Sequence, residues 1–66
     1  MFQVGDLVLI SKDHAIKYYA GKTAIVATYV GMDDLDQTLS HYYRVHFDDG
    51  TEHIFAHLEM KLLSER

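Results

Sequence analysis

The sequence predicts a single small all-β domain: a curled sheet, closing into a barrel, of about five short antiparallel strands with a short helical turn near the C-terminus. Three observations carry this. Short runs of β-branched and aromatic residues recur at close spacing, bounded by glycine and aspartate. No helical pattern reaches three turns. And 66 residues without a cysteine or a proline leave room for one domain, 1–66, with no disulfide staple and no linker.

The first strand is read over Val4–Ile10, where Gly5-Asp6 bends the chain and Val8 and Ile10 share one face. Leu7 and Leu9 fall on the other face. Residues 11–21 are polar and end in glycine, which predicts a long loop with Ile16, Tyr18 and Tyr19 pinning it to the sheet. Lys22–Val30 carries Thr23, Ile25, Val26, Thr28 and Val30, and branching at Cβ favours the pleated backbone. Gly31 is expected to end that strand. Residues 32–40 read as an acidic loop.

His41–Phe47 alternates, with Tyr43, Val45 and Phe47 against Tyr42, Arg44 and His46. Asp48-Asp49-Gly50 then supplies a turn, and Thr51–Ala56 returns as the partner strand. Two registers are open. A two-residue turn places His46 opposite His53, whereas a three-residue turn pairs Phe47 with Thr51 and Val45 with His53. A one-residue slip exchanges the two faces, and the three-residue turn, slightly favoured, puts Phe55 in the core. The remainder, His57–Leu63, is expected to form a short helical turn and a last strand, with Leu58 and Leu62 or Leu63 closing the core.

A domain of this size buries only about 60% of the surface its unfolded chain exposes, so a compact core, a metal or self-association must supply the balance. Hydrophobic residues make up 48% and charged residues 24%, a globular rather than disordered composition. No apolar run approaches the ~20 residues of a membrane helix, and the start lacks a signal-peptide pattern. A cytoplasmic protein without a membrane partner is therefore expected.

The net charge of −4 argues against general DNA binding. It is unevenly spread. Residues 1–30 set Lys12, Lys17 and Lys22 against Asp6 and Asp13, a net of +1, while residues 31–66 set eight carboxylates against Arg44, Lys61 and Arg66, a net of −5.

Val4-Gly5-Asp6-Leu7-Val8-Leu9-Ile10 followed by Gly21-Lys22-Thr23-Ala24-Ile25-Val26 resembles the opening of SH3-like barrels of the KOW and Tudor kinds. Val45-His46-Phe47-Asp48-Asp49-Gly50, followed by Leu58, resembles the second half of a Tudor-like barrel, and the layout is also similar to the family of small barrel subunits of photosystem I. These are matches of core and turn residues, and one fold hosts many functions. The Tudor resemblance implies an aromatic cage for a methylated cation, with Tyr18, Tyr19, Tyr29 and Phe47 as its candidates. Core filling is the competing and commoner use of such rings. The KOW resemblance implies contact with nucleic acid through the first loop, here Lys12, His14, Lys17, Tyr18, Tyr19 and Lys22, by phosphate pairing and base stacking. The plasmid-borne trimethoprim-resistant dihydrofolate reductases are also SH3-like barrels, with a pore motif Val-Gln-Ile-Tyr. Glu52-His53-Ile54-Phe55 keeps only the isoleucine, so that activity is not carried over.

Catalytic and cofactor signatures are not found. There is no nucleophile turn and no glycine-rich phosphate loop. His53 and His57 have the spacing of a zinc helix but lie in an expected strand, roughly 13 Å apart. Asp34-Leu35-Asp36 lacks the third ligand, the glycine and the closing glutamate of a calcium loop. Neither a metal nor another cofactor is expected.

What remains is apolar surface. A small barrel buries one face, yet the first strand carries Leu7 and Leu9 on its second face, and the next strand opposes Ile25 and Tyr29 to Val26. The expectation is a non-enzymatic protein-interaction module, regulatory or accessory. It would dock on a larger protein partner, or self-associate as a homo-oligomer, through Leu7, Leu9, Tyr18, Tyr19, Tyr29, Tyr42 and Arg44 with the acidic residues Asp33, Asp34 and Asp36. The alternative is the KOW-like nucleic-acid module on loop 11–22.

Overall fold

The computed structural model describes residues 2–33 and 40–64. The elements run β1 (Leu7–Ile10), β2 (Thr23–Asp33), β3 (Ser40–His46), β4 (Glu52–Ala56), a one-turn 3₁₀ helix η1 (His57–Glu59) and β5 (Met60–Ser64). They form one antiparallel sheet in the order β4-β3-β2-β1-β5. This is the expected all-β, five-stranded architecture with its late helical turn. The sheet does not close: β4 and β5 form no ladder with each other, and η1 carries the chain between its two ends.

Alternation decides what is buried. Val8 and Ile10 of β1, Ala24 and Val26 of β2, Tyr43 and Val45 of β3, Phe47, Phe55 of β4 and Met60 of β5 form one core. Each ladder pairs like with like: Val8 with Ala24, Val26 with Val45, Tyr43 with Phe55, Ile10 with Met60. Three register shifts bend the sheet around that core. Ala27 and Val30 of β2 have no partner on β3, and Leu63 of β5 has none on β1. Such bulges sharpen the local twist and spoil an edge for further pairing.

The β3–β4 hairpin takes the three-residue turn. Val45 faces His53, the Phe47 N–H donates to the Thr51 carbonyl at 2.9 Å, and the Gly50 N–H donates to the Phe47 carbonyl at 3.1 Å. Gly50 sits at φ +89°, the left-handed position such a turn requires. The His46–His53 pairing is thereby excluded, and Phe55 points into the core.

Three expectations are corrected. β1 begins at Leu7, because residues before it form a turn: the Gln3 N–H donates to the buried Asp6 carboxylate at 2.8 Å, and the Asp6 N–H donates to the Gln3 carbonyl at 3.0 Å. Gly31 does not end β2, since Gly31, Met32 and Asp33 pair with Tyr42, His41 and Ser40. Cross-strand pairing outweighs the glycine's weak strand preference there. Leu58, Leu62 and Leu63 do not close the core. They are 75%, 37% and 46% exposed, and Met60, set opposite Ile10, fills the place.

Candidate functional site

Two surfaces come out of this sheet: an inner side closed by loop 11–22, and an outer face.

Loop 11–22 leaves β1 and re-enters β2 through backbone bonds at its base. The Gly21 N–H donates to the Ile10 carbonyl at 3.0 Å, and the Ile10 N–H donates to the Lys22 carbonyl at 2.8 Å. Its tip is held by side chains. Tyr19 stacks on Phe47 (5.0 Å between ring centroids, 25° between planes) and on His53 (4.8 Å, 30°), and meets Phe55 edge-on at 5.5 Å. Offset and edge-on arrangements are those that ring quadrupoles favour. His14, although a polar loop residue in the sequence, is turned inward with its side chain 8% exposed. Its Nδ1 accepts the Ile16 N–H at 3.0 Å, its Nε2 lies against the Glu59 carboxylate, and its ring meets Phe55 edge-on at 5.1 Å. Glu59 in turn accepts the Ala56 N–H at 2.7 Å, tying the loop to η1.

The third attachment is polar and exposed. The Tyr18 hydroxyl donates to Asp49 Oδ2 at 2.7 Å, and the Lys22 ammonium lies 3.7 Å above the Tyr18 ring. The other Asp49 oxygen accepts the Thr51 hydroxyl at 2.6 Å and the Thr51 N–H at 2.9 Å. The Thr51 hydroxyl, then the Thr51 N–H and the Tyr18 hydroxyl, hold the Asp49 carboxyl down to about 2. The same bond to Asp49 and the charge behind it raise the Tyr18 phenol above its ordinary value.

This arrangement separates the cage candidates. Tyr18 and Tyr19 meet edge-on at 4.9 Å, and Tyr19 covers Phe47, which is buried. Tyr29 lies elsewhere, against Tyr43 at 5.3 Å and with its hydroxyl 3.0 Å from His41 Nδ1. The four rings do not converge, and the Tyr18 ring face carries the chain's own Lys22. Of the nucleic-acid candidates, Lys12 and Lys17 are exposed, whereas Lys22, His14, Tyr18 and Tyr19 have partners within the chain.

The histidines are similarly committed. His57 Nδ1 accepts the His41 N–H at 3.0 Å, and His46 Nδ1 lies 3.2 Å from Glu52. A neutral imidazole that accepts at Nδ1 carries its proton on Nε2, so neither His14 nor His57 offers a second lone pair to a metal. Among the described residues no group of three or more histidine, aspartate or glutamate side chains is placed to hold an ion. No helix among them is long and apolar enough to cross a membrane.

The outer face is set by the complementary parity. One row crosses all five strands, Ser64–Leu7–Ile25–His46–Glu52, flanked by Lys61–Leu9–Thr23 and by Thr28–Arg44–Ile54. Ile25 and Ile54 are exposed, and Leu7 and Leu9 are half-buried. The depressions there are open and small: about 160 Å³ beside Leu7, Ile25 and His46, about 260 Å³ beside Leu9 and Leu58, and about 370 Å³ beside Arg44 and Ile54. Thus Leu7, Leu9 and Arg44 share one face, while Tyr18 and Tyr19 belong to the loop. Tyr42 is half-buried in β3. Asp33 ends β2, and Asp34 and Asp36 lie outside the described residues. Sequence reasoning missed the inward turn of His14 and its contact with Glu59. The two are 45 positions apart, and no local pattern links them.

No protein-family model matches the chain, and no curated protein or solved structure matches it.

Proposed function

We propose that the chain is a non-enzymatic interaction module of the SH3-like barrel kind that docks on a larger protein through the outer face of β1 and β2. The observation that carries this reading is the row of Leu7 and Ile25 with neighbouring Leu9. It presents apolar side chains on the outer side of the sheet, while loop 11–22 packs its Tyr19 ring on the inner core instead. Burial of apolar surface is the main driving force of association, and a contiguous apolar patch rimmed by polar groups marks an interaction surface. Here the rim is Lys61 and Thr23 on one side and Arg44, His46 and Glu52 on the other. The nucleic-acid alternative has less support, because Tyr18 and Lys22 are spent on each other and on Asp49.

The test compares capture of partners from the native host by the wild-type chain and by Ile25→Glu, which changes an exposed side chain. The expected result is a discrete protein partner whose recovery falls at least tenfold with Ile25→Glu. Undiminished capture by the variant overturns the reading. So does salt-dependent binding to nucleic acid that Lys12→Ala and Lys17→Ala weaken.

A further inference from the structure

The backbone bonds made by residues 12–20 differ in kind from those of the sheet. The His14 N–H donates to the Ser11 carbonyl, the Ile16 N–H to the His14 ring, the Tyr19 N–H to the Ile16 carbonyl and the Ala20 N–H to the Lys17 carbonyl. These close within 11–20, and at the end of the loop the Tyr19 carbonyl accepts the Lys22 N–H at 3.0 Å. The backbone bonds that join the loop to the rest of the fold lie at its base, Ile10 with Gly21 and Lys22, and the Ser11 N–H with the Glu59 carbonyl at 2.8 Å. Everything that holds the tip down is a side chain: His14 on Glu59, Tyr18 on Asp49, and the Tyr19 ring on Phe47, His53 and Phe55.

We propose that residues 12–20 form a releasable strap, and that Tyr19 is an internal occupant of an aromatic slot floored by Phe47, His53 and Phe55. Lifting the strap breaks three side-chain attachments and no sheet hydrogen bond, so it is a local opening and does not require the sheet to unfold. What it uncovers is specific. Phe47 and His53 present faces nearly parallel to the departing ring, and Phe55 presents itself edge-on. That geometry accepts one flat aromatic ring, and the occupant supplied from outside is an aromatic side chain of a partner. The strap therefore acts as an autoinhibitory contact, because a ring from outside binds only at the expense of Tyr19. Phe47 and Phe55 are buried and His53 is half-buried, and an apolar site left by removing one side chain is the kind that binds a small aromatic molecule.

Two measurements test this. In native-state hydrogen exchange on the wild-type chain, the amides of Tyr19 and Ala20 are expected to exchange at least tenfold faster than those of Val26 and Val45. In Tyr18→Phe they are expected to exchange faster still, with the sheet amides unchanged. The second measurement titrates 4-methylphenol, which matches the tyrosine side chain, into Tyr19→Ala. It is expected to raise the melting temperature and to shift the resonances of Phe47, His53 and Phe55, with a response at least fivefold smaller in the wild-type chain. Strap and sheet amides that exchange together overturn the proposal. So does 4-methylphenol that leaves Tyr19→Ala unchanged or acts equally on both chains. Should Tyr19→Ala fail to fold, the 4-methylphenol titration is made on Tyr18→Phe, whose loosened strap is expected to give a larger response than the wild-type chain, and an equal response overturns the proposal.

Discussion

Replacing Gly50 by alanine isolates the backbone cost of the β3–β4 turn. Gly50 lies at φ +89°, and a Cβ built there meets nothing within 4 Å. The substitution therefore adds no clash, and only the conformational term remains. An L-residue held in the left-handed region costs about 1–2 kcal/mol, partly offset by the about 0.4–1 kcal/mol that alanine gains from a less flexible unfolded chain. The net loss is about 1 kcal/mol. A 66-residue chain has a total stability of about 3–10 kcal/mol at the usual value per residue, so the loss is a sizeable share, and a domain this small loses about 4–8 °C in Tm for it. Urea denaturation is the assay, with the m-value expected to stay constant because the surface exposed on unfolding is unchanged. Gly50→Asn is the control, since asparagine tolerates positive φ and loses less. Gly50→Ala as stable as wild type, or no more destabilised than Gly50→Asn, refutes the reasoning, and with it the three-residue turn that places Phe55 inward.

Two further perturbations follow from the polar contacts. The Asp49 carboxyl is held to about 2 in the folded chain, below its ordinary 3.8, so the stabilisation it brings is fully present above pH 3.8 and is lost as the pH falls through about 2. Between pH 5 and pH 2 the melting temperature of the wild-type chain is expected to fall more steeply than that of Asp49→Asn, and parallel curves count against the assignment. His14→Ala removes a ring packed on Phe55 together with its bond to the Ile16 N–H and its contact with Glu59, for a loss of about 2 kcal/mol by urea denaturation. A loss below about 0.5 kcal/mol would show that the contact contributes little to holding the loop.

The elements legible in the sequence are those specified locally. Alternation in Tyr43, Val45 and Phe47, β-branching from Thr23 to Val26, and the pairing of Asp48-Asp49-Gly50 with flanking apolar residues are properties of neighbours. The structure keeps all three. The outer face was legible for the same reason: once Val8 and Ile10 point inward, Leu7 and Leu9 must point outward. The hairpin register was less so. Two turns one residue apart satisfy the same local chemistry, and the choice between them is made by whether Phe55 or Ile54 reaches the core.

Tertiary structure alone decided the rest. Gly31 reads as a stop, yet pairing with Tyr42 carries β2 on to Asp33. Leu58 reads as a core residue, yet the ladder of Ile10 with Met60 assigns the interior place to methionine and leaves Leu58 on the surface of η1. His14 and Tyr19 read as residues of a polar, basic loop, and their partners Glu59, Phe47, His53 and Phe55 stand 28 or more positions away. Periodicity reports which side of its own strand a residue occupies. Which distant group waits on that side depends on how the sheet curls, and that is set by bulges and contacts no short window of sequence contains.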